Sequence, residues 1–114
     1  MPTLQQTLDQ GVQHHTAGQL PEAERLYQQV LQAEPNHPIA LHLLGVVAHQ
    51  VGKNDIAVDL ISQALAVNPD YTEAQNNLGL AYQELGKLED ALTCYQKVLA
   101  IKPDFVEAHN NLGN

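Results

Sequence analysis

Every glycine in this chain falls on one of two series with a spacing of 34 residues. Gly11, Gly45, Gly79 and Gly113 form the first series, and Gly18, Gly52 and Gly86 the second. Pro35, Pro69 and Pro103 keep the same interval, as do Ala23, Ala57 and Ala91 and, separately, Ala40, Ala74 and Ala108. Aligning 38–71 with 72–105 gives ten identities in 34 positions without a gap. A period of this length means stacked supersecondary units, none of which buries its apolar face alone. The chain reads as one domain of repeats 4–37, 38–71 and 72–105, followed by a partial repeat over 106–114.

Each unit predicts two helices. In the third, Ala74, Leu78, Ala81, Tyr82 and Leu85 recur at helical spacing, and Gly86 then terminates the run by taking positive φ. A second run carries Ala91, Leu92, Tyr95, Val98, Leu99 and Ile101 on one face. Lys102-Pro103 stops it, because a residue before proline is pushed out of the α region. The second unit repeats this plan, with Asn54 expected to cap its second helix. In the first, Pro21 opens the second helix, where a missing N–H costs nothing. Small residues such as Gly45 and Ala57, or Gly79 and Ala91, let the two helices of a unit approach closely.

Composition narrows the classes of partner. Thirteen Asp and Glu against five Lys and Arg give a formal charge of −8. Nucleic acids and anionic membranes are bound largely through clustered Lys and Arg, so neither is an expected partner. The single Cys94 cannot form an internal disulfide. Met1 to Gln10 lack the basic start and apolar stretch of a signal peptide, and no apolar run approaches the ~18 residues of a membrane span. A cytoplasmic location is expected.

The positions Leu78-Gly79, Tyr82, Gly86, Ala91, Tyr95 and Pro103 of the third unit resemble the tetratricopeptide repeat pattern. The second unit matches as Leu44-Gly45, Ala48, Gly52, Ala57, Ile61, Ala64 and Pro69. The first departs from it, with Gln10 for the leucine before the glycine and His14 for the aromatic. The resemblance covers almost the whole chain and implies an all-α, right-handed α-solenoid of antiparallel helix pairs, about three and a quarter repeats long. Gln6, Gln10 and Gln13 suit a solvent-facing first helix. The partial repeat over 106–114 halts inside a first helix, which reads as the front of a longer repeat protein.

The resemblance further implies that the first helices of successive units line a concave groove. The residues it assigns there are Asp9 and Val12; His42, Leu43, Val46 and His49; Glu73, Asn76, Asn77, Leu80 and Glu84; and Asn110 and Asn111. No Lys or Arg is among them. Family members that hold acidic chaperone tails use a Lys/Arg/Asn clamp, and at the matching positions stand Leu8, Val12, Leu43, Glu73 and Asn77. A chaperone-tail adaptor is therefore not expected. Asn77 and Asn111 share one repeat position, and Asn76 and Asn110 another. This resembles the asparagine ladder in the repeat arm of O-linked N-acetylglucosamine transferases, where amides, being both donor and acceptor, grip peptide backbone. The stretch Leu41 to Gln50 is also similar to early repeats of bacterial proteins with a transferase domain after the repeats. The same ladder position is Asp9 in the first unit and Leu43 in the second.

No cofactor, metal site or active site is expected. His42 and His49 lie seven apart, where helical metal pairs stand three or four apart, and no Cys or carboxylate completes a set. Both are candidates for making partner binding pH-sensitive near neutrality. Gly52-Lys53 and Gly86-Lys87 lack the spacing and the Ser or Thr of a phosphate loop. Cys94 stands where other units have Leu26 and Leu60, and so reads as packing. The chain is expected to be a non-enzymatic scaffold holding a protein or peptide segment of apolar and neutral-to-basic character in the groove. Two other roles stay open: the substrate-recruiting arm of a larger transferase, and a homo-oligomer built by stacking exposed repeat ends.

Overall fold

A computed structural model describes residues 2–112. Among the described residues it contains seven helices and no strand. They are α1 (Leu4–Thr16), α2 (Leu20–Ala33), α3 (Pro38–Gln50), α4 (Asn54–Val67), α5 (Thr72–Glu84), α6 (Leu88–Ile101) and α7 (Val106–Asn111). The architecture is an all-α solenoid in which α1/α2, α3/α4 and α5/α6 pack as pairs joined by short turns. Connections this short place the two helices of a pair side by side and antiparallel. Gly113, the last member of its glycine series, lies outside the described residues, as does Asn114.

Local chemistry sets the boundaries. Thr3 caps α1: its Oγ1 accepts from the Gln6 N–H at 3.1 Å while Gln6 Oε1 accepts from the Thr3 N–H at 2.9 Å, a reciprocal box. At the turn after α3, Gly52 takes φ +83°, and the following Lys53 N–H reaches the Ala48 carbonyl at 2.8 Å. Gly18 and Gly86 do the same work in their units. Each second helix ends on a residue before proline, and Glu34, Asn68 and Lys102 all leave the helix with φ near −130°. Pro21 sits in the first turn of α2. Asn54 corrects one expectation. It is the first residue of α4 and not its cap, because its side chain is taken by His49.

The core has no single centre. One buried cluster joins Leu8, Ala23, Tyr27, Val30, Ala40 and Val47 across the first two pairs. The next joins Ala48, Ala57, Ile61, Ala74, Leu78, Ala81 and Cys94 across the second and third. A smaller one holds Ala91, Tyr95 and Val98 of α6 with Ala108 of α7. Each cluster uses residues from neighbouring pairs, so every unit completes its own core with the next one.

Candidate partner-binding groove

The first helices of successive units meet directly, and the repeat arithmetic fixes how. A side chain on one first helix touches a side chain 35 residues later on the next. His42 meets Asn77, Asn76 meets Asn111 and His15 meets Gln50. In the first unit the position of His42 and Asn76 is Leu8, and its partner position is Leu43, which packs against the Leu8 cluster. At this position the seam is thus apolar between the first and second units and polar between the later ones.

His42 is 5% exposed and satisfied on both ring nitrogens. Its Nε2 lies 2.8 Å from Asn77 Nδ2, which only donates, so Nε2 accepts. Nδ1 therefore carries the proton and donates to Tyr71 Oη at 2.9 Å. The Tyr71 ring stands edge-on at 4.8 Å between centroids. Burial pushes the His42 pKa down to about 4, opposed by the Glu73 carboxylate and reinforced by His15. His42 is neutral at physiological pH, which removes the expectation that it titrates near neutrality. His49 is half-buried, and its Nδ1 donates to Asn54 Oδ1 at 2.6 Å.

Asn76 is 1% exposed. Its Nδ2 donates to Glu107 Oε2 at 3.2 Å and its Oδ1 accepts from Asn111 Nδ2 at 3.0 Å. Below this row, tyrosines of the second helices reach up to the first: Tyr27 Oη meets His15 Nδ1 at 2.9 Å, and Tyr95 donates to Gln83 Oε1. Burial raises both phenols to about 12.

The predicted groove residues therefore divide into three sets. Asp9, Val12, Glu73, Glu84 and Asn110 are exposed. Leu43, Val46, His49, Asn77, Leu80 and Asn111 are half-buried on the shared face. His42 and Asn76 correct the expectation of a lining role: both lie inside the seam, because each joins one repeat to the next. Two contributors were missed. Tyr71, just before α5, holds His42, and Lys102 brings its Nζ within 3.7 Å of Glu73 Oε1, setting a cation beside a face expected to have none. The repeat register hides both, since they sit in the linkers and not on a first helix. Among the described residues no three His, Cys, Asp or Glu side chains gather as a metal site, and no helix is long and apolar enough to cross a membrane.

Models of the tetratricopeptide repeat match residues 8–52, 49–86 and 72–105. The chain belongs to the tetratricopeptide repeat family. Among solved structures, MamA is 25% identical with a TM-score of 0.90, over 97% of this chain and 65% of MamA. The first TPR of Spaghetti (RPAP3), bound to the HSP90 peptide SRMEEVD, is 28% identical with a TM-score of 0.93, over 96% of this chain and 87% of that one. A Thermobaculum terrenum O-GlcNAc transferase is 29% identical with a TM-score of 0.93, over 98% of this chain but 22% of the enzyme. No curated protein matches the chain. Tetratricopeptide repeats are generally non-catalytic interaction modules, and the fold here is that of a protein-interaction scaffold.

Proposed function

We propose that the chain is a non-enzymatic cytoplasmic scaffold whose first-helix face binds a protein segment with apolar anchors and neutral-to-basic neighbours. The observation that carries this reading is the distribution of exposed groups along that face. Val12 and Ile39 are 40% and 41% exposed, beside half-buried Leu43 and Val46. Asp9, Glu73, Glu84 and Glu107 are exposed around and beyond them. Lys102 offsets one of these carboxylates, Glu73, and leaves the balance acidic. An acidic tail such as SRMEEVD, held by the RPAP3 domain, would bring its carboxylates against this field. Two like charges at 4 Å repel by about 1 kcal/mol in water and about 4 kcal/mol at a protein surface.

Two fluorescent twelve-residue peptides test the reading, one alternating Leu with Lys and one alternating Leu with Glu. The Leu/Lys peptide should bind and the Leu/Glu peptide should not. Glu84→Lys and Val46→Ser should each weaken the first by about tenfold, or about 1.4 kcal/mol. Equal binding of the two peptides, or full affinity in both variants, would overturn the proposal. A second reading, end-to-end self-association, is favoured by Leu88 and Leu92, which stand 65% and 45% exposed on α6.

A further inference from the structure

A cleft lies among α2, α3 and α4, and none of the predicted groove residues lines it. Leu44, Val47, Ala48, Val51, Ile56 and Leu60 form its apolar wall, and it encloses about 210 Å³. Val51 and Ile56 are half exposed at its mouth. The repeat shows why it exists. Thirty-four residues after Ala48 stands Tyr82, whose half-buried ring packs against the clusters on both sides of it. It lies close to Cys94, the counterpart of Leu60, and burial raises its hydroxyl pKa with Cys94 and Asp90 acting in the same direction. The counterpart of Glu24, in the cleft lining, is Val58, which packs into the core. The second unit therefore has a methyl where the third has a phenol, and the helix before it, α2, brings a carboxylate where α4, before the third, brings an apolar side chain. Val47 and Leu60 are larger than Ala81 and Cys94, and refill only part of the space.

We propose that this cleft is a socket for one aromatic side chain of a partner protein, which supplies in trans the ring that Tyr82 supplies within the chain. Size supports a single ring. An apolar space of roughly 150 Å³ is enough to hold benzene, whereas drug-sized sites run to ~300–1,000 Å³. The lining favours a ring with a polar tip, because Glu24, Gln28 and Lys53 join the apolar residues around it. Tyrosine and tryptophan combine an apolar body with such a tip. The socket is separate from the first-helix face and does not depend on what binds there.

The test is a methyl-NMR titration of the full 114-residue chain with p-cresol, the tyrosine side chain alone. Saturable shifts should be confined to the methyls of Leu44, Val47, Ala48, Ile56 and Leu60. Ala48→Tyr, which installs the third unit's own residue, should abolish them while circular dichroism reports an unchanged helix content. If that variant unfolds, Ile56→Glu at the exposed wall makes the same test, and its shifts should also vanish. No saturable shift at millimolar p-cresol would overturn the proposal. So would shifts that survive in a folded variant, or that appear equally at Leu88 and Val106.

Discussion

At the scale of single residues, the decisive group is a histidine that takes up no second proton near neutrality. His42 sits between a phenol and an amide at 2.9 and 2.8 Å, and protonating Nε2 would set two donors against each other. Its folded pKa of about 4 lies below the ordinary 6.5. The unfolded chain therefore binds the proton first as pH falls. The contribution to stability is complete above pH 6.5, declines as pH falls towards about 4, and is gone below that value. A gap of this size corresponds to about 3 kcal/mol. His42→Asn copies the residue that the third unit uses at the same position, Asn76. Urea midpoints at pH 7 and pH 4.5 should fall more in the wild type than in this variant, and an identical drop in both would remove His42 as the cause. The site was legible only in part at this scale. Repeat register places Asp9, Val12, Glu73 and Glu84 on the exposed face without coordinates. It does not distinguish a polar side chain that greets a ligand from one that greets the next repeat. Asn76 is the second kind, and only its partners 31 and 35 residues on reveal it.

At the scale of helices, the helical glycines fix how closely each pair can approach. A Cβ on Gly79 would lie 2.5 Å from Tyr95 Cε1 and 2.8 Å from its Cζ, so the buried Tyr95 ring would have to shift. Gly45 meets Ile61 in the same way, and Gly11 meets Tyr27. Alanine ordinarily favours a helix interior over glycine by about 1 kcal/mol. Overpacking costs about 1–3 kcal/mol and should win here. Gly79→Ala is therefore expected to lower the urea midpoint, whereas a midpoint at or above that of the wild type would mean that the glycine serves no packing role. Nearly all of this level could be read from the chain, because a 34-residue spacing of glycine and proline states both where helices end and where they touch. Asn54 is the exception. Its sequence position suits a cap, but His49, five residues earlier, competes for its side-chain oxygen and takes it.

At the scale of the whole molecule, the solenoid is 46 Å long and 25 by 22 Å across. Its α6 face exposes Leu88 and Leu92, with a cleft of about 230 Å³ between them, Tyr95 and Leu112. The corresponding positions of the first two units are Leu20 and Asn54, then Glu24 and Val58, so the third carries the most apolar pair. A face with the molecule's cross-section offers about 550 Å² per partner. The two sides together give about 1,100 Å², just below the ~1,200–2,000 Å² of stable complexes. Association through it should be weak. The charge of −8 opposes it further at low ionic strength, where repulsion is least screened. Light scattering should give about the composition mass of 12.5 kDa in dilute, low-salt solution. The mass should rise with protein concentration in high salt, and Leu88→Glu should hold it constant. A single mass at every concentration and salt would remove self-association and leave the first-helix face and the α2–α4 socket as the surfaces on which partners act. A rise that persists in Leu88→Glu would move the contact to another surface. The exposed Val12 and Ile39 would then be the next to examine, because self-association there would compete with any foreign segment.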